Sequence, residues 1–227
     1  MHHYVTLFNS NFLPQGLALY ESLTCHASPF TLWVLCMDDK AKTILDRLSK
    51  PGIKAMAASE FETVQLLEIK QQRSLVEYCW TLTPMAPKIV FDRDQSVERV
   101  TYLDADLFFL KDPEPIHQEF RESGKSVMIT EHAFDSLNDR SAQSGRFCVQ
   151  FMTCLPLVLQ SRLGSNRNLH QAVHVPAIFG QISRKSVRDS VRARHSGAAR
   201  MSRPRAGSSG WPHFRFGPVA AFAHHHG

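Results

Sequence analysis

The chain has 227 residues, enough for one α/β domain with a full core or for two small domains. Hydrophobic residues make up 43% and charged residues 21%, ordinary for a soluble globular protein, and no apolar run reaches the roughly 18–20 residues of a membrane helix, so no transmembrane segment is expected. The net charge of +5 averages two unlike parts: residues 1–154 hold 15 Lys+Arg against 20 Asp+Glu, and residues 155–227 hold 11 Lys+Arg against Asp189 alone.

The opening "MHHYVTLFNS" has neither a basic leader nor a cleavable apolar stretch, so no export signal is expected. The cysteines (Cys25, Cys36, Cys79, Cys148 and Cys154) are odd in number and lack a close CxxC pair. They read as reduced core residues of a cytoplasmic protein, with a zinc site as the sharper alternative.

In chain order, "YVTLF" (Tyr4–Phe8) predicts a short buried strand and "NSN" (Asn9–Asn11) a turn. "LPQGLALYESL" predicts a helix with Pro14 in its first turn. "FTLWVLC" (Phe30–Cys36) is continuously apolar, as for a strand covered on both faces. A helix follows, with Asp39 as its expected cap and Pro51-Gly52 as its stop. "IKAMA" (Ile53–Ala57) predicts a third strand, and Ser59 with Glu62 forms an S-x-x-E box expected to open another helix. After a mixed stretch interrupted by Pro84 and Pro87 come three more strands: "RVTYL" (Arg99–Leu103), "SVMIT" (Ser126–Thr130) and "FCVQFMT" (Phe147–Thr153). Strands alternating with helices imply βαβ units, a Rossmann-like α/β fold with a mainly parallel central sheet. Ligands in such sheets bind beyond the carboxyl ends of the strands, near the point where strand order reverses. Both polar clusters, Asn9–Asn11 and Asp104–Asp106, directly follow apolar strands.

"VTYLDADLFFLKDP" (Val100–Pro113) therefore ends a strand on two acids. Residues i and i+2 of an extended segment point to the same side. Two carboxylates so placed repel each other unless a cation lies near them. Magnesium takes one or two carboxylates, keeps several waters and binds substrate phosphates, and octahedral oxygen coordination suits manganese equally. Turn aspartates that merely solvate a loop are the plainer alternative. An aspartyl-nucleophile phosphatase fits poorly, because such motifs lie early and continue to a threonine, whereas Leu107 and Phe108 follow here.

"RVTYLDADLFFLKDPEPI" resembles the D-x-D segment of family 8-type glycosyltransferases, the group that includes glycogenin-like and bacterial galactosyltransferase-like enzymes. Together with "LWVLCMDD" and "VEYCWTLTP" it resembles a bacterial subgroup of nucleotide-sugar transferases, in the expected order from Tyr4 to Met152. The resemblance implies a GT-A fold, a nucleotide-diphosphosugar donor (usually UDP-linked) and a divalent cation, Mn2+ or Mg2+, held by Asp104 and Asp106. It further implies that the Ala105 backbone lies near the donor and that Leu7, Asn9 and Asn11 meet the nucleotide. Members often carry an aspartate where Asn9 stands. Three features depart from the pattern. Cys148 occupies the place of the asparagine in an "FN-x-G" motif, and beyond Cys154 neither an Asp-Gln pair nor a late metal-binding histidine follows. His170, His174 and His224–His226 lack the family's surroundings and inherit no role. Glu77, before "YCWT", is a candidate for the donor cleft or, more plainly, a surface helix charge.

From Leu155 the chain turns rich in Arg, Ser, Ala, Gly and Pro. A basic arm for nucleic acid or anionic membrane is one reading. Only Trp211, Phe214 and Phe216 offer stacking surface in its basic part, and no nucleic-acid motif appears, so no specific nucleic acid is expected. Out-of-frame reading of a GC-rich gene produces the same composition. A frameshift near codons 150–156 is the expectation, which an intact frame shared by relatives through Gly227 would defeat. The expected organisation is a nucleotide-sugar-binding domain over 1–154 and a poorly ordered basic tail over 155–227. The expected function is metal-dependent transfer of a sugar to a glycan, lipid or protein acceptor. A truncated, non-catalytic nucleotide-binding remnant is the alternative.

Overall fold

The computed structural model describes residues 1–27, 29–132, 134, 142, 145–156 and 173–174. Its strands are β1 (His2–Phe8), β2 (Phe30–Cys36), β3 (Ile53–Met56), β4 (Val100–Leu103), β5 (Val127–Glu131), β6 (Phe147–Cys154) and β7 (Val173–His174). Its α-helices are α1 (Leu13–His26), α2 (Asp39–Leu48), α3 (Val64–Gln71), α4 (Leu75–Leu82), α5 (Ala86–Arg93) and α6 (Glu114–Ser123). One sheet contains the seven strands in the order β3-β2-β1-β4-β6-β5-β7. β3, β2, β1 and β4 pair in parallel, and β6 runs antiparallel between β4 and β5.

Alternation along the strands sorts side chains to two apolar layers. Tyr4, Phe8, Leu32, Val34 and Leu103 meet α1, α2 and α6 through Leu19, Leu23, Leu45, Ile116 and Phe120. Val5, Leu7, Trp33, Leu35, Val100 and Tyr102 meet α3, α4 and α5 through Leu66, Tyr78, Leu82, Val90 and Phe91. Covering on both faces explains why β1 and β2 read as continuous apolar runs.

The helix between β1 and β2 and the one between β2 and β3 lie on the first face, and the three between β3 and β4 on the second. The chain thus winds outward from β1 to β3, crosses to the other face and returns to pair β4 with β1. Strand order reverses between β1 and β4.

Several local expectations are corrected. Asp38, not Asp39, caps α2: its backbone is extended (φ −148°, ψ 159°) and its carboxylate accepts the Ala41 N–H at 2.7 Å, whereas Asp39 is already helical. α2 stops at Leu48, with Ser49 in the left-handed region (φ 45°), before Pro51-Gly52 is reached. The Ser59/Glu62 box opens no helix. Ser59 sits in the 3-10 turn Ala58–Glu60, and Glu62 is held instead by Lys70 and the Tyr78 hydroxyl, each at 2.8 Å. Thr63 caps α3, and the working box is Ser74 with Glu77 at the start of α4. The stretch around Pro84 and Pro87 is helical throughout, because each proline lies in a first turn, where no N–H is required. Among the described residues no helix is long and apolar enough to cross a membrane. Apart from Leu155, whose N–H donates to Ser126 O at 3.0 Å, from residue 156 and from β7, the basic tail over 155–227 lies outside the described residues.

Helix α1 rests on β1 at Gly16, where an added Cβ would lie 2.4 Å from Cε1 of the buried Phe8 ring. Gly16→Ala should gain about 1 kcal/mol of helix propensity and lose about 1–3 kcal/mol to overpacking. A net lowering of the urea midpoint is expected; a raised midpoint would show that the Phe8 ring yields freely.

Candidate active site

The loops after β1 and β4 flank the point where strand order reverses, the usual ligand crevice of an open α/β sheet. After β4 the chain makes a tight turn, with the Leu107 N–H donating to Asp104 O at 3.2 Å. The Asp104 N–H donates to Gln150 O of β6 at 2.9 Å, continuing the β4–β6 ladder by one rung. Beyond the turn, Leu107 (1% exposed) and Phe109 (0%) plunge into the core, and the Phe109 N–H donates to Ser22 Oγ of α1 at 3.1 Å. An apolar anchor on each side thus holds the turn at the sheet's edge. Asp104 and Asp106 are half-buried there, with the buried Ala105 between them.

Tyr102, on the α3–α5 face of β4, donates its hydroxyl proton to Asp104 Oδ1 at 2.8 Å. Thr83 Oγ1 approaches the same phenol oxygen at 3.3 Å and the Cys79 carbonyl of α4 at 3.1 Å. Burial pushes the Tyr102 pKa well above its usual 10.0, and the Asp104 charge adds to the effect, so the phenol keeps its proton. Cys148 opens β6 beside the turn. Burial raises its thiol pKa, and Asp104 and Asp106 raise it further, which places both carboxylates within electrostatic reach of one sulfur. Such a surrounding disfavours a thiolate.

On the β1 side, Leu7 is buried in the apolar layer under the sheet. Asn9 caps the 3-10 turn Ser10–Phe12, its Oδ1 accepting the N–H groups of Asn11 (3.0 Å) and Phe12 (3.3 Å). Asn11 is exposed. Ser10 donates both its N–H and its hydroxyl to Asp38 Oδ2 at 2.9 Å, joining the ends of β1 and β2. Burial tends to raise the Asp38 pKa, and hydrogen bonds from Ser10 and Ala41 outweigh that, leaving it below the ordinary 3.8. Glu77 is exposed and occupied in its own helix cap. The five cysteines are free thiols. Ser10, Asp38 and Tyr102 were missed from sequence. Tyr102 had a signal, since it stands two residues before Asp104 on the same strand.

Among the described residues no group of three His, Cys, Asp or Glu side chains is placed to hold a metal. Among the described residues the acidic pair offers two carboxylate ligands, a donor set that fits an ion that keeps waters and binds phosphates and does not fit a closed structural zinc site. A cavity of about 530 Å3 opens elsewhere, at the amino ends of β1 and β4, between His3, Arg99, Arg121 and Lys125. It lies on the edge where open α/β sheets do not place their ligands.

No family model matches the chain. The chain is 35% identical over 115 residues to the uncharacterised protein YfnF of Bacillus subtilis (strain 168), covering 51% of this chain and 38% of that protein. It is 32% identical over 154 residues to the uncharacterised protein YfnD of the same strain, covering 66% of this chain and 48% of that protein. The chain thus spans half or less of the length of these curated relatives. Among solved structures, mouse xyloside xylosyltransferase 1 in its apo form aligns over 86% of this chain and 76% of its own, with a TM-score of 0.51 and 11% identity. That likeness is one of fold, and the chain has the expected GT-A-type α/β architecture.

Asp38→Ala should lower stability at neutral pH by about 1 kcal/mol, the usual value of a helix cap. Because the folded pKa is depressed, this contribution is complete above the unfolded value near 3.8 and is lost as pH falls through the folded one. Urea unfolding at descending pH should show wild type and variant beginning to converge below about pH 4 and meeting once pH is below the folded value. A gap that persists there would show that the carboxylate's charge is not what holds Ser10 and Ala41.

Proposed function

We propose that the chain is a metal-dependent glycosyltransferase, moving a sugar from a nucleotide-diphosphosugar, UDP-linked by resemblance, to a glycan, lipid or protein acceptor. The observation that carries this reading is a pair of half-buried carboxylates, two residues apart, at the strand-order reversal of a GT-A-type sheet. Asp104 and Asp106 would hold Mn2+ or Mg2+, which when bound supplies neutralising charge for a departing diphosphate. The anchored turn fixes the backbone that carries both carboxylates, and Ala105 is small enough for its backbone to approach the donor. Leu7, Asn9 and Asn11 belong to the proposed nucleotide side. Asn9 acts there by shaping the loop, since its amide oxygen is engaged with two backbone N–H groups. The nucleotide-sugar domain is assigned to 1–154. A reducing compartment such as the cytoplasm suits Cys36 and Cys154, both buried, with pKa values pushed up to about 12.

The second reading is a remnant that binds nucleotide without turnover. Cys148 favours it, standing beside both carboxylates where the resembled family carries an asparagine.

Isothermal titration with UDP, with Mn2+ and then with a chelator, joined to an assay of donor hydrolysis, tests both readings. Manganese should tighten UDP binding, and Asp104→Asn or Asp106→Asn should each remove more than about tenfold of that gain, since loss of even an outer partner of a metal ligand reaches that size. Equal UDP affinity with and without the ion would end the metal reading. Metal-dependent binding without hydrolysis or transfer would select the remnant.

A further inference from the structure

We infer that Tyr102 is a positioning residue, setting the orientation in which Asp104 presents its carboxylate to a divalent cation; this rests on the reading of Asp104 and Asp106 as the metal pair. A carboxylate at a strand end can rotate about two side-chain bonds, and an ion held by few protein ligands depends on each being aimed in advance. The Tyr102 hydroxyl lies 2.8 Å from Asp104 Oδ1 and has one proton to give. The tyrosine itself is 3% exposed, packed with Leu82, Val90 and Phe91 in the layer beneath α4 and α5, so its ring has no room to swing. Thr83, 6% exposed, closes the arrangement from the other side. With the phenol proton committed to Asp104, Thr83 can only donate, and its proton is shared between the phenol oxygen at 3.3 Å and the Cys79 carbonyl at 3.1 Å.

The line from Cys79 through Thr83 and Tyr102 to Asp104 therefore ties α4 to the acidic turn. It joins two stretches that are far apart in sequence, "VEYCWTLTP" and "YLDAD". An ordinary buried tyrosine needs any acceptor for its hydroxyl. This one uses a half-buried carboxylate, although the buried Thr83 hydroxyl, 3.3 Å away, could have accepted instead. A hydrogen bond to a charged acceptor is among the stronger kinds, and partners of metal-ligating carboxylates commonly govern metal affinity.

The test measures Mn2+ binding by electron paramagnetic resonance on the full chain in the presence of UDP, for wild type, Tyr102→Phe, Thr83→Val and Asp104→Asn, with thermal unfolding alongside. Tyr102→Phe should weaken Mn2+ binding about tenfold or more while UDP binding without metal stays as in wild type. Thr83→Val should weaken it in the same direction by a smaller factor, and it supplies the answer if Tyr102→Phe does not fold. Wild-type Mn2+ affinity in folded Tyr102→Phe or, failing that, in Thr83→Val, with binding abolished in Asp104→Asn, would overturn this inference and leave the metal pair standing. Wild-type affinity in Asp104→Asn as well would overturn both. A fall in Mn2+ affinity matched by an equal fall in metal-free UDP binding would mark a general structural role and also overturn it.

Discussion

The parallel pairing of β4 against β1, on the side opposite β2, is the contact on which the rest of the molecule depends. It brings the loops after β1 and β4 side by side at the carboxyl ends of adjacent parallel strands, where strand order reverses. Here the Asp104–Leu107 turn lies at the mouth of the crevice, between one ladder rung to β6 and the buried rings and side chains that follow.

Two carboxylates share a half-buried edge with a thiol whose ionisation they oppose. Turn aspartates that only keep a loop wet gain most by pointing outward, whereas Asp104 is turned inward onto a buried phenol. Asp38, the acid at the end of β2, shows the contrasting case. Three hydrogen bonds from Ser10 and Ala41 absorb its charge, its pKa falls, and its work is structural. One sheet edge thus carries an acid whose hydrogen bonds hold two loops together beside one that receives the proton of a buried phenol.

Much of this was legible in the chain. Continuous apolar runs located β1, β2 and β4 to within a residue or two, because strands covered on both faces need apolar side chains at every position. The acidic pair was visible for the same reason, as the first polar break after such a run. Helix starts were harder. Asp38 and Asp39 offer the same side chain at adjacent positions, and only the extended backbone at Asp38 decides which of them caps. Ser59-x-x-Glu62 and Ser74-x-x-Glu77 are equivalent as strings, but Glu62 is drawn away by Lys70 and Tyr78.

Local chemistry, then, determined by itself where β1 to β6 run, that the acids follow β4, and that the charge balance changes beyond residue 154, since each depends only on residue type and spacing. Tertiary structure decided which strands are neighbours, that β6 returns antiparallel to bring Cys148 beside the acids, and that Tyr102 and Thr83 close on Asp104. Those contacts join residues up to dozens of positions apart, and the geometry of a hydrogen bond between them exists only once the sheet and its two helical layers have packed.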